Sequence, residues 1–282
     1  MSFLSKTFRY VNENGENIKF TYDAGFLINK PVGIDTLQVS LSRATGIDQV
    51  GATIQGVNVQ PRPVVVSGIL VGDFVGINKE KLLSVVRPDL TAKFYADDYY
   101  QNVRPTATPT IDPTAKFAKF QFSILAAYPY WQKDNSVKTV LSGLQYMFKF
   151  PWNISRQYQF AKLMETQFLN VPNHGQLPVP MTVTFSARGD CVNPKITNVN
   201  TGKFMAINKS LVAGERVVVE ITHDRTYVTS SVDGDIRGAL SLKSTLNRLD
   251  VGDNALKPEA EEGGNQLEVS VDFATEIVGI SL

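Results

Sequence analysis

The 282-residue chain has one cysteine, two histidines and two tryptophans, and its charges nearly cancel at a formal net charge of +1. Cys191 has no partner for an internal disulfide, so nothing points to an oxidising compartment. The near-neutral balance gives no general attraction for nucleic acid or for anionic membranes. No run approaches 18 apolar residues, so no membrane-spanning helix and no membrane insertion are expected. The N-terminal MSFLSKTFRYVNENG lacks the long apolar stretch of a signal peptide, and synthesis in the cytoplasm is expected.

Chemistry-bearing patterns are equally scarce. His174 lies in the turn sequence PNHGQLP, and His223 precedes Asp224 at the end of a strand-like run. No G-x-S-x-G is present to raise a serine on a strained turn, and both histidines read as solvent-facing or turn-capping. The absence of C-x-x-C, H-E-x-x-H and clustered His/Cys argues against zinc. The acidic groups Asp97-Asp98, Asp233 with Asp235, and Glu259 with Glu261 and Glu262 fall short of a calcium loop's ladder of oxygens. Asp233-Gly234-Asp235 reads as a hairpin turn and the glutamates as a solvated loop. There is no P-loop or dinucleotide fingerprint. No catalytic, cofactor or metal residue is therefore assigned, although two carboxylates from distant strands would leave no local signal.

What is present is period-two alternation. Ile18, Phe20 and Tyr22 share one face of NIKFTYD, and Phe120, Phe122 and Ile124 one face of KFQFSIL. Met181, Val183 and Phe185 alternate with Thr182, Thr184 and Ser186; Val217, Val219 and Ile221 alternate likewise, as do Leu267, Val269, Val271 and Phe273. That is the signature of half-buried strands, and it predicts an all-β protein with one or two short helices. Turn pairs at Asn14-Gly15, Thr201-Gly202, Ala213-Gly214, Asp233-Gly234 and Gly263-Gly264 separate the runs. One helix is predicted from an Asn78 N-cap through Leu82, Val85 and Val86 to a stop at Pro88. The stretch from Ser155, with Phe160, Leu163, Met164 and Phe168 at helical spacing, reads equally as a helix or as two strands and a turn.

A hydrophobic content of 43% and a charge content of 20% suit a folded protein of two domains, or of one large β domain. Such a chain buries roughly three quarters of its extended surface, so the core needs no disulfide or metal. The domain boundary is expected near residues 128–138, where YPYW precedes the polar QKDNS. The aromatics Tyr128, Tyr130, Trp131 and Trp152 suit either a sugar-stacking platform or domain packing, and packing is the favoured reading. Two proline-bearing stretches, around residues 43–63 and 101–116, read as long loops, either arms that grip a neighbour or disordered segments.

The order of motifs in the second half resembles that of siphophage distal tail proteins (Dit). Asn198, Thr201 and Gly202 stand for an "N…TG" element, Ala213, Gly214 and Glu215 for an "aGe" turn, and Ser244, Leu249, Gly252, Asp253 and Asn254 for "S…L…GdN". Asn173, Gly175 and Pro180 match a strand entry upstream. In the first half FTYDAGFLINKPVGID, INKEKLLSVVRPDLTAKFY and FQFSILAAYPYW follow the family order, the last leading into a "DPYW" junction whose Asp is here Tyr128.

The resemblance implies an N-terminal split β-barrel ring domain over residues 1–132 and a C-terminal galectin-like β-sandwich over 133–282. It implies a structural, non-enzymatic hub, a homohexameric ring or a double ring of twelve, with a channel for DNA and no sequence-specific nucleic-acid binding. Implied partners are the tail tube protein, the tail-tip hub or fibre protein, and receptor-binding or baseplate proteins. The implied place is the tail of a virion or phage-tail-like particle, with no cofactor. Arg43, Arg62, Arg104 and Ile111 are the expected inter-subunit contacts, and Tyr128, Pro129, Tyr130 and Trp131 the expected inter-domain junction. The competing expectation is a carbohydrate-binding module built on the C-terminal sandwich, for which no complete galectin set of sugar-binding residues is found.

Overall fold

The structure is a computed structural model that describes residues 6–71, 75–113, 118–141, 144–146, 161–163 and 168–281. It is an all-β protein of two compact units, Met1–Asp134 with Glu276–Leu282, and Asn135–Thr275.

The strands of the first unit are β1 (Phe8–Asn12), β2 (Asn17–Lys19), β3 (Phe26–Ile28), β4 (Val39–Ala44), β5 (Thr53–Val59), β6 (Arg62–Leu70), β7 (Ala92–Ala96), β8 (Tyr99–Pro105), β9 (Thr110–Pro113), β10 (Ala118–Ala126) and β11 (Trp131–Lys133), with α1 (Val75–Val85) between β6 and β7. All but β4 and β5 join one antiparallel, barrel-like sheet in the order β2-β1-β7-β8-β10-β6-β3. The longest ladder runs from Ala118 opposite Leu70 to Ala126 opposite Arg62, and alternation on β6 and β10 sends Val64, Val66, Leu70, Phe120, Phe122 and Ile124 inward. Aromatic rings fill that interior: Phe8 stacks on Phe94 at 5.7 Å, and Phe122 meets Tyr10 edge-on at 6.0 Å. Such pairs each add about 1 kcal/mol beyond their burial. The helix α1 touches β2 and β6, on either side of the sheet's opening, and buries Leu82 and Val85 there.

Several local expectations are corrected. The described helix spans Val75–Val85, so Asn78 lies within it and does not cap it. Val75 packs on the core. Tyr22 is exposed because β2 ends at Lys19 and the chain turns back. Neither proline-bearing stretch is a long loop. Residues 39–59 form a hairpin, and β8 and β9 carry most of residues 101–113 into the sheet. Of the stretch from Ser155, Ala161–Leu163 is a short strand paired with Leu144–Tyr146; residues 155–160 and 164–167, with Phe160 and Met164, lie outside the described residues, as does Trp152.

The second unit is a sandwich. One sheet runs in the order Val137–Val140, Leu267–Phe273, Thr182–Ala187, Arg216–Ile221, Thr226–Ser230, Gly234–Asp235. The other runs Leu169–Asn173, Gly252–Glu259, Lys195–Asn198, Phe204–Ala206. The alternating residues Met181, Val183, Phe185, Val217, Val219, Val269 and Val271 meet in one core. All five turn pairs read from the sequence fall between strands, and Gly15, Gly202, Gly214, Gly234 and Gly263 adopt positive φ there.

Gly68 on β6 shows how closely β3 approaches. A Cβ added there would stand 2.0 Å from the Leu27 carbonyl oxygen. Gly68→Ala should therefore lower the first unit's stability by about 3 kcal/mol. Gly56→Ala, whose Cβ would meet only Ser42 Cβ at 3.9 Å, should change it by less than about 0.5 kcal/mol. Thermal unfolding of the two variants beside the parent measures both.

Candidate functional site

The hairpin β4–β5 forms a two-stranded sheet of its own, an arm that pairs with no other strand among the described residues. Its register sets Val39 opposite Val59 and Leu41 opposite Val57, and, past a bulge, Arg43 opposite Ile54. The alternate pairs are Ser40 with Asn58 and Ser42 with Gly56. One face is thus aliphatic and the other polar, yet Leu41 and Val57 are 42% and 63% exposed. At the tip, Ile47 and Val50 are fully exposed around Asp48, whose φ of 62° makes the turn. An isolated hairpin is marginally stable in water, and exposed apolar stripes with open strand edges are a common mark of interaction surfaces.

The arm's root is built around Arg62, which is 2% exposed. Its Nε donates to the Pro129 carbonyl at 2.7 Å, and its Nη1 to the carbonyls of Gly33 at 3.1 Å and Ile34 at 2.8 Å. Its Nη2 donates to the Val278 carbonyl. Gly33 and Ile34 lie on the segment entering the arm, and Arg62 follows the strand leaving it. Gln101 Nε2 also donates to Pro129 at 2.7 Å, and Trp131 Nε1 to Ile34 at 3.1 Å. Burial pulls the guanidinium below its ordinary value, and the nearby Asp35 carboxylate opposes that. A planar group with five N–H donors suits a nest of main-chain carbonyls, where a lysine would reach fewer.

Next to this root, the segment Glu276–Ile277 pairs with β11, Trp131 opposite Ile277 and Gln132 opposite Glu276. Glu276 is 1% exposed and accepts from Tyr128 Oη at 2.6 Å and from Gln132 Nε2 at 3.1 Å. Tyr128, standing where the family pattern has Asp, thus supplies a phenol to a buried carboxylate.

The structure separates the residues singled out from the sequence. Arg62 is buried in its own unit, where its guanidinium donates to main-chain carbonyls. Arg43 is exposed on the aliphatic face of the arm, Arg104 is exposed on β8, and Ile111 is half-buried on β9 against the core. Pro129 and Trp131 are buried at the arm's root, and Tyr128 meets Tyr130 edge-on at 5.3 Å. His174 is exposed and His223 half-buried. Among the described residues no group of three or more His, Cys, Asp or Glu is placed to hold a metal ion. The arm's Val39, Leu41, Ile54 and Val57, and the returning segment 276–280, were not singled out beforehand. The alternation in VSLSR was the available signal for the arm.

In the second unit four of the motif residues, Asn173, Asn198, Glu215 and Asn254, are buried polar anchors. Asn198 Nδ2 donates to Asn254 Oδ1 at 3.1 Å, and Asn254 Nδ2 donates to the carbonyls of Asp250 and Gly252. Asn173 accepts from the Gly175 amide and donates to Leu177. Glu215, 2% exposed, accepts from Lys209 Nζ, Ser230 Oγ and the Val212 amide. Burial alone would raise its carboxyl, but these donors outweigh it and hold the group below the usual glutamate value.

Residues 174–276 match the family model described as siphovirus-type tail component, C-terminal domain. Over the whole chain the fold is that of tail hub and baseplate proteins. The crystal structure of SPP1 Dit (gp 19.1), described as a paradigm of the hub adsorption apparatus in phages infecting Gram-positive bacteria, matches with a TM-score of 0.69 at 14% identity, covering 95% of this chain and 98% of that one. The phage P2 baseplate in its activated conformation matches at 6% identity over 98% of this chain and 100% of that one, with TM-scores of 0.52 with Ca and 0.50 with Sr. No curated protein sequence matches the chain. The resemblance to distal tail proteins is upheld by the family model over residues 174–276 and by fold over the rest.

Two outcomes follow from this geometry. Tyr128→Phe removes a charge-assisted bond to a buried carboxylate and should destabilise the first unit by about 2 kcal/mol, read by urea unfolding. Glu215 is held below its unfolded value, so its contribution is present above that value and lost as pH falls through the folded one. Glu215→Gln should be less stable than the parent by about 2 kcal/mol at neutral pH, and the gap should close as pH falls below the ordinary glutamate range. Unfolding curves across that range measure it.

Proposed function

We propose that the protein is the structural hub of a phage-type tail, a ring of six copies that joins the tail tube to the tail tip and anchors receptor-binding or baseplate components. The observation that carries this reading is the arm. Its aliphatic face lies uncovered in a single copy, and identical subunits in a closed ring bury one another's surfaces by heterologous contacts. Stable contacts of that kind bury roughly 1,200–2,000 Å² or more, and an arm of two strands supplies both edge hydrogen bonds and apolar area. The polar face with Ser40, Ser42 and Asn58 suits a passage that DNA crosses without being held. Arg43 on the arm, with Arg104 and Ile111 on the outer parts of the barrel, belong to the same proposed contacts. The protein is made in the host cytoplasm and resides in the tail, and the reading assigns it no catalysis, cofactor or sequence-specific nucleic-acid binding. The match of residues 174–276 to the tail component family and the hub fold support the reading.

The test is light scattering on the untagged protein after size exclusion, followed by negative-stain imaging. The expected result is a six- or twelve-fold mass and rings in the images. Leu41→Asp with Val57→Asp should leave both units folded by circular dichroism and shift the mass to a single copy. Rings that survive this double substitution would remove the arm from the interface. A parent chain that stays a single copy at high concentration, alone and with a tail tube protein, would overturn the ring.

A further inference from the structure

The carbonyl of Ile34 accepts three hydrogen bonds from three separate parts of the chain. They come from Arg62 Nη1 at 2.8 Å, Trp131 Nε1 at 3.1 Å and the Ile280 amide at 3.0 Å. Arg62 also holds the Val278 carbonyl, and the Ile280 side chain is buried in the barrel core. Between them, Gly279 lies so close to the chain entering the arm that an added Cβ would stand 2.8 Å from the Asp35 carbonyl oxygen. The returning segment is thus fastened onto the root of the arm by a side-chain donor, a main-chain bond, a core residue and a close backbone contact.

Apart from Arg62, Trp131 and the buried Ile34 side chain, the root is held by few main-chain bonds. Between the end of β3 and the start of β4, its main-chain bonds to β6 are those of Asn29 to Ser67 and the reciprocal pair of Val32 and Val65, with Gln60 bonded to Gln38 at the arm's base. Segments with so few ladder bonds open locally at much lower free energy than the sheet beside them. We propose that the C-terminal segment Glu276–Ile280 is a strap that sets the order of the arm: with the strap seated the root is closed, and with it lifted the root opens while the barrel stays folded. The chain enters the second unit after Asp134 and leaves it before Glu276, so both covalent connections of that unit end on the paired strands of this joint. A pull on the second unit's return connection therefore reaches the arm without passing through the rest of the barrel. The inference concerns a single copy and holds whether or not the arm serves a ring.

Hydrogen exchange read by NMR or mass spectrometry tests it on three proteins: the parent, a chain ending at Ile277, and Gly279→Ala, which lifts the strap without shortening the chain. The expected result in both variants is exchange at least tenfold faster at the amides of Val32, Gln60 and Val65, with Tyr10, Phe94, Val183 and Val219 at parental rates. Acceleration confined to β11 and the remaining tail, with the root at its parental rate, would overturn the strap. So would acceleration spread evenly over the whole first unit, which would make the segment a general contributor to stability. If the shortened chain does not fold, the Gly279→Ala protein decides by the same amides.

Discussion

A guanidinium buried among main-chain carbonyls is the constraint on which the first unit depends. Removing Arg62 from water carries a penalty of several kcal/mol, and among the described residues no buried carboxylate pairs with it. The offset comes from its hydrogen bonds to four main-chain carbonyls. These carbonyls belong to the entry to the arm, the junction after β10 and the returning C-terminal segment. The arrangement is stable only when all of them converge, and so one residue couples three segments far apart in sequence.

The same economy governs the sandwich. Asn198 with Asn254, Asn173 with its turn, and Glu215 with Lys209 and Ser230 are polar groups in otherwise apolar surroundings, each satisfied by partners across a turn or a strand end. A half-satisfied group of this kind is worse than an apolar one, so the register of the strands around it is tightly specified. This explains why the motifs that resemble the tail component family are short and polar. They sit where the fold tolerates few alternatives, and they identify an architecture. They say nothing of a reaction, since none of these groups lines an open site.

Legibility in the sequence followed the same division. Strands whose apolar residues alternate against one core, such as KFQFSIL and QLEVSVDFA, were readable because period two and burial agree. The arm was not, although VSLSR alternates too. Its partner strand TIQGVNV carries a glycine and a bulge, and its apolar residues face no core of the same chain. Pro105 and Pro113 obscured β8 and β9, although both prolines stand at strand ends, where the missing N–H is tolerated. Arg62 stands in a proline-bearing stretch expected, from its length and composition, to make inter-subunit contacts. Only the convergence of Gly33, Pro129 and Val278, invisible to local pattern, shows why a cation belongs inside. The return of Glu276–Ile280 is of the same kind, a pairing across about half the chain with two residues of strand.

These features fit one design problem. For the ring proposed above, a hairpin offered to a neighbouring copy has its aliphatic face uncovered in the single copy and needs a root rigid enough to aim it. Exposure alone would invite indiscriminate strand pairing, the hazard of every open edge. The arm limits that hazard by twisting at the bulge between Ser42 and Arg43, by placing a cation on its apolar face, and by exposing serines and an asparagine on the other. Rigidity then has to come from the root, where short ladders cannot supply it. A buried arginine can, because its donors are fixed in one plane and each is used on a different segment. Among the described residues the buried polar groups Arg62, Asn173, Asn198, Glu215 and Asn254 fix the local geometry, while the aliphatic residues Val39, Leu41, Ile54 and Val57 of the arm stay exposed.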